Sequence, residues 1–182
     1  YARTRFGDEY FFLKRQLLFG VLPGLFLVAI IKNIDYRMWK RVAFPLFVVS
    51  IILLIMVFIP GFGTKIYGAN RWVQLGFLSF QPSELLKISL ILYLAAWLSS
   101  KKEKIRDVYD GLMPFLIILM IVSYLLVSQP DVGTLGSVVM IAAAVFFASG
   151  AKISHMLFLG IGGLAALGML IRTESYRMDR FL

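Results

Sequence analysis

Residues 80–98 read FQPSELLKISLILYLAAWL, an apolar run of membrane-crossing length with a glutamate and a lysine in its first two turns. About 17–25 predominantly apolar residues carry a helix across a bilayer. The run therefore predicts a span, with Glu84 and Lys87 as ionisable groups at its head. Pro82 suits the first helical position, where its missing N–H is not needed. Ser83 and Glu84 then fall in the first turn, where a carboxylate meets the positive end of the helix dipole. Glu84 and Lys87 are three apart, so they share one side of the helix and can pair. Two readings stay open. One is a helix start at the interface, with a local ion pair and a snorkelling lysine. The other is a polar cavity opening to one leaflet, whose ionisable groups hold a charged headgroup.

The rest of the chain follows the same pattern. Of its 182 residues 60% are hydrophobic and 16% charged, against roughly 45–50% and 25% in soluble domains. Six segments reach or approach spanning length: 16–31, 42–60, 82–98, 111–128, 132–149 and 155–171. The first is short unless Phe11, Phe12 and Leu13 extend it. The fold class expected is all-α, a polytopic transmembrane helix bundle forming one integral membrane domain over residues 1–182, with a long loop at 61–81. Pro23, Pro45 and Pro114 lie inside spans and predict kinks. Gly133, Gly136 and Ala142 to Ala144 in the fifth span suit close helix packing.

The net charge is +9, but the basic residues cluster between apolar runs rather than on one polar face. An orientation signal and anionic lipid headgroups account for them, and nucleic acid is not an expected partner. Lys32, Arg37, Lys40, Arg41, Lys101, Lys102, Lys104, Arg106 and Lys152 fall in one set of inter-span loops, and only Lys65 and Arg71 in the other. The first set is expected in the cytoplasm. The basic residues of the two terminal stretches fall on the opposite side and oppose that assignment. The chain has no cysteine, which excludes disulfides, thiolate metal sites and cysteine nucleophiles. It holds no phosphate-binding glycine loop, zinc-ligand spacing or Ser/His/Asp set.

The polar chemistry then gathers on the outer side. In GANRWVQLG (68–76), Trp72 reads as an interfacial anchor. Arg71 reads either as an interfacial charge or as a forked donor to phosphate oxygens. In QPDVGT (129–134), Asp131 suits a helix N-cap with Pro130 fixing the turn; the alternative is a membrane-embedded acid for ion coupling. Gly133 permits close packing or backbone approach. In YRMDR (176–180), Arg177 and Arg180 share a face if helical, and serve either to cradle a pyrophosphate or as solvated loop charges. His155, beside the turn GAKIS, reads as interfacial rather than catalytic.

Taken in order, FFLKRQ, GANRWVQLG, FQPSELLK, ILYLAAWLS, QPDVGT and YRMDR resemble the SEDS family (shape, elongation, division and sporulation), which includes FtsW and RodA. The division-type, FtsW-like branch is the closer resemblance. It implies ten spans in all, of which these six are the second to seventh, and an enzyme of the bacterial cytoplasmic membrane acting on its outer face. The implied activity is peptidoglycan glycosyltransfer: lipid II is polymerised into glycan on an undecaprenyl carrier, beside a class B penicillin-binding protein transpeptidase and among membrane lipids.

By motif match, Arg71, Glu84 and Lys87 carry over as functional polar residues, with Arg71 and Lys87 stabilising phosphate or sugar groups and Glu84 positioning Lys87. Arg177 and Arg180 join them as substrate-binding or functional polar residues. Trp72, Gln81, Pro82, Ser83, Pro130, Asp131 and Gly133 carry over as motif residues. No cofactor is implied with certainty, and a divalent cation is left open. Two other readings use the same features: a flippase for the lipid-linked precursor, and a scaffold recruiting a partner through Gly162, Gly163 and Gly168. The resemblance places the catalytic aspartate in an outer loop beyond Leu182, and neither Glu174 nor Asp179 is expected to replace it. Residues 1–182 supplied with a class B penicillin-binding protein are therefore expected to make no glycan from lipid II. Polymer on a gel would overturn that expectation.

Overall fold

Helix dominates because a bilayer offers no partner for an open backbone group, and a helix closes its hydrogen bonds within itself. The structure, a computed structural model, describes residues 10–60, 62–66, 69–75 and 78–173. Two compact units, Tyr1–Trp39 and Lys40–Leu182, are taken separately.

The first unit holds helix α1, Phe11–Ile31. It starts before the expected apolar segment because Lys14 and Arg15 interrupt the apolar run, not the backbone ladder: Lys14 N–H donates to the Tyr10 carbonyl at 2.8 Å. A π-helical turn at Leu17–Val21 sits directly before Pro23. A proline ring clashes with the carbonyl four residues back, and a widened turn relieves that clash. No residue of α1 is buried within its own unit. Asp35 then accepts the Arg37 N–H at 2.9 Å and starts α2, Tyr36–Met56.

The second unit continues α2 from Lys40, and the helix runs unbroken through Pro45. After the sheet described below come α3, Pro82–Lys101, and α4, Val108–Ser128. α5, Val132–Ala148, and α6, Ile153–Thr173, complete it. Among the described residues, α1 to α4 are long and apolar enough to cross a membrane, while α5 is a shorter apolar helix.

The core follows one stripe. Leu86, Leu90, Leu94 and Leu98 recur every four residues along α3, and all four are buried. They meet Leu54 of α2, Phe115, Val122 and Leu126 of α4, and Leu135, Val138, Ala142 and Phe146 of α5. That contact set corrects the expected role of Gly133 and Gly136: a Cβ added at either meets nothing within 4 Å. The packing face of α5 is thus its Leu/Val/Ala/Phe stripe rather than its glycines. Gly162, Gly163 and Gly168 are likewise uncrowded.

Polar ties fix helices that apolar contact alone would let slide. Ser50 of α2 and Ser89 of α3 are buried with their hydroxyls 2.7 Å apart. The Phe47 carbonyl is also within reach of Ser50 and the Leu86 carbonyl within reach of Ser89, so one hydroxyl donates to the other while that second hydroxyl donates to its own carbonyl. Next to them Phe47 and Tyr93 stack with centroids 4.7 Å apart. At the far end Asp107 caps α4 by accepting from Tyr109 N and Asp110 N. A second π-helical turn, Val108–Leu112, precedes Pro114 as the first precedes Pro23. Gly111 in that turn lies against the Ile105 carbonyl, where a Cβ would collide. Arg106 Nε donates to the Gly150 carbonyl at 3.3 Å, joining the α3–α4 connection to the α5–α6 turn. Phe115, Phe146 and His155 stack in series across α4, α5 and α6, and His155 is buried.

The segment 61–81, expected as a loop, contains a three-stranded antiparallel meander: β1 Gly63–Ile66, β2 Ala69–Leu75 and β3 Leu78–Phe80. Gly63 faces Val73 and Thr64 faces Trp72 in one ladder, with an irregularity between Thr64 and Lys65. Val73 faces Phe80 in the other. Val73 is buried, and β2 lies against α3.

The Ser50–Ser89 tie yields a measurable coupling. A Ser50→Ala, Ser89→Ala double-mutant cycle read by unfolding in bicelles should give about 0.6 kcal/mol, the typical value for such bonds inside membranes. A coupling indistinguishable from zero would remove this bond from the forces that set α2 against α3.

Candidate functional site

One end of the second unit collects three elements: the meander, the head of α3 and the α4–α5 turn. Their junction is polar, and each contact has a local cause. Asp131 precedes α5 and accepts the Thr134 N–H at 3.4 Å, satisfying one of the donors that every helix start leaves open. Its other oxygen, Oδ2, lies 3.4 Å from Gln81 Nε2. Gln81 precedes α3 and its carbonyl accepts the Glu84 N–H at 3.1 Å. The two helix starts are therefore linked through their preceding residues.

Arg71 of β2 reaches the same turn. Its Nε donates to the Gln129 carbonyl at 3.3 Å, Nη2 contacts the Pro130 carbonyl, and Nη1 stands 3.5 Å from Asp131 Oδ1. The guanidinium is about a third exposed, whereas the Asp131 carboxylate is buried, with side-chain exposures of 30% and 5%. A buried carboxylate is costly unless its charge is matched; here one cation and two N–H groups match it.

Gln129 was not anticipated as a functional residue. It is fully buried, and its Nε2 donates to the Leu54 carbonyl at 2.8 Å, near the C-terminal end of α2, where the last carbonyls have no helical partner. A polar side chain beside Pro130 in a turn was the available signal. Its target, on another helix, has no local signature.

Glu84 and Lys87 form the second polar feature. Lys87 Nζ lies 2.8 Å from Glu84 Oε1, with side-chain exposures of 27% and 59%. At that exposure an i,i+3 pair contributes only a few tenths of a kcal/mol to stability. Its effect is to orient Lys87, half-buried beside the core stripe. On the other side of the same turn Pro82 and Ser83 are buried, and Ser83 Oγ has no hydrogen-bond partner among the described residues. Trp72 is half-buried on β2. Arg177 and Arg180 lie outside the described residues. Among the described residues no group of three or more His, Cys, Asp or Glu side chains is placed to hold a metal ion.

The junction therefore unites Arg71, Gln81, Pro130 and Asp131, and the Glu84–Lys87 pair opens beside it on the same helix start. The architecture is that of a polytopic membrane protein with a polar site confined to one end of its bundle. A family model described as "Cell cycle protein", FtsW/RodA/SpoVE, matches residues 1–182, and the chain belongs to that family.

Particular relatives agree. A probable peptidoglycan glycosyltransferase FtsW of Geobacter sp. strain M18 is 37% identical over 179 residues, covering 98% of this chain and 48% of that protein. The crystal structure of the rod shape determining protein RodA of Thermus thermophilus is similar at 34% identity and TM-score 0.63, over 79% of this chain and 46% of that one. A chain from a peptidoglycan synthase complex, solved for its coordination of polymerization and crosslinking, is similar at 32% identity and TM-score 0.66, over 87% and 46%. This chain thus spans about half the length of the relatives it matches.

Gln129 tests the junction directly. Gln129→Met keeps the volume but leaves the Leu54 carbonyl buried without its donor, which should cost about 1–3 kcal/mol. A thermal-unfolding midpoint in detergent equal to that of the unmodified protein would show that the carbonyl finds another partner.

Proposed function

We propose that the protein to which this chain belongs is a peptidoglycan glycosyltransferase that polymerises lipid II at the outer face of the bacterial cytoplasmic membrane, alongside a class B penicillin-binding protein. The supporting observation is Lys87: an oriented, partly buried cation at the head of a membrane helix, in a chain whose relatives carry that activity in their names. The substrate headgroup is a pyrophosphate-linked disaccharide. Its leaving pyrophosphate gathers negative charge in the transition state, where a fixed cation is most effective. Glu84 holds Lys87 from one side, and the junction behind it fixes the helix start. The acceptor hydroxyl must also lose a proton to a general base, a role assigned to no residue of this chain.

The orientation rests on charge. Lys101, Lys104, Arg106 and Lys152 gather at the end opposite the junction, where the α3–α4 connection meets the α5–α6 turn. Basic loops favour the cytoplasm, which puts the Lys87 end outside. Division rather than elongation is the cellular role preferred, on the resemblance to FtsW.

The test uses the full-length protein with its transpeptidase and purified lipid II. Lys87→Ala should lower polymerisation by about a hundredfold, the usual loss for one charge-stabilising donor, and Glu84→Gln should lower it less. Wild-type polymerisation by Lys87→Ala would remove Lys87 from the site. Absence of polymer with intact lipid translocation would replace the enzyme reading with a flippase.

A further inference from the structure

We propose that Arg71 serves this reaction by position: it clamps β2 to the α4–α5 turn and thereby sets the head of α3, and it is not a ligand of the substrate phosphates. The inference rests on the glycosyltransferase reading above and changes the role expected for Arg71 from its motif. All three guanidinium nitrogens are directed at one turn: Nε at the Gln129 carbonyl, Nη2 at the Pro130 carbonyl and Nη1 at Asp131. A planar guanidinium presents its donors in a fixed fork, so turning it towards a phosphate would surrender these contacts together. It would also leave the buried Asp131 carboxylate without its cation.

The contacts run on in one direction. Asp131 meets Gln81 through its second oxygen, the Gln81 carbonyl holds the Glu84 N–H, and Glu84 holds Lys87. The strand is thus connected to the functional cation through Asp131 and the first turn of α3. Gln129 extends the connection to α2 through the Leu54 carbonyl. Arg71 lies at the origin of this series and Lys87 at its end.

The two roles predict opposite results for Asp131. If Arg71 binds phosphate, a neighbouring carboxylate opposes anion binding, and Asp131→Asn should leave activity intact or improve it. Arg71→Lys should then keep much of the effect, since a lysine still supplies a point charge. If Arg71 is a positioning residue, Asp131→Asn and Arg71→Lys should both be damaging, because an ammonium cannot serve three acceptors arranged for a fork.

The experiment measures steady-state polymerisation of lipid II by the full-length protein with its transpeptidase, for Arg71→Lys, Arg71→Gln, Asp131→Asn and the Arg71→Gln/Asp131→Asn double variant. Each single variant should lose about tenfold or more in kcat, the scale expected from misplacing a catalytic group. KM for lipid II should stay within about threefold, since no substrate contact is removed. The double variant should be no worse than the poorer single one. In parallel, hydrogen–deuterium exchange in detergent should accelerate at amides 78–84 in every variant. A raised KM in Arg71→Gln, with Asp131→Asn and Arg71→Lys at wild-type rates, would overturn the proposal and make Arg71 a substrate ligand. Unchanged exchange at 78–84 would overturn it as well. If the unmodified protein makes no polymer, the glycosyltransferase reading fails while the exchange measurement still decides the clamp. Should Arg71→Gln not fold, Arg71→Lys and Asp131→Asn carry the same comparison.

Discussion

The Asp131 carboxylate is buried where three elements meet, and its charge must be matched there. Leucine stripes bring helices together, but van der Waals contact between apolar faces tolerates sliding and rotation, and in a membrane no hydrophobic drive favours one register. A buried anion is less tolerant. It needs its cation and its donors within hydrogen-bonding reach, and those come from β2, from the residue before α3 and from the first turn of α5. Satisfying one carboxylate thus fixes three elements at once, and Gln129 brings in the end of α2.

This arrangement separates stability from chemistry within a few residues. The Glu84–Lys87 pair is too exposed to contribute much to folding, yet it holds a cation at the head of a helix whose other face is core. The Arg71–Asp131 contact is the reverse: partly buried, shared among several acceptors, and costly to break from either side. The helix start at Pro82 carries both kinds of residue, Ser83 turned inward and Glu84 outward. A change on one face of that turn is felt on the other.

Much of the helical framework was readable from composition, because a lipid-facing helix must be apolar over its length. The end of α2 at Met56, the start of α4 at Val108 and the start of α1 at Phe11 depend on caps and local hydrogen bonds, which blur in a hydropathy count. The strands of 61–81 were missed for a different reason. They are three to seven residues long, too short for the alternation that marks a longer strand to stand out. At the site, Pro82, Glu84, Lys87 and Asp131 could be placed by spacing alone, since each belongs to a helix start. The reach of Arg71 to the α4–α5 turn and of Gln129 to Leu54 could not, because a contact between distant segments leaves no mark in either one.

The π-helical turns before Pro23 and Pro114 bear on how this chain should be scanned. A π turn accommodates one more residue than the α turn it replaces, so the side chains on its two sides are out of phase by about a residue's rotation. Along α4, the lipid-facing and core-facing positions from Met113 onward cannot be extrapolated back through Val108–Leu112 at a constant 3.6-residue period. A cysteine-accessibility or tryptophan scan of α4 carried through that turn would show its periodicity break. The break would come from the extra residue and not from a change of environment. In comparisons between relatives, a single-residue gap placed there can be absorbed by the wide turn without rotating the rest of the helix.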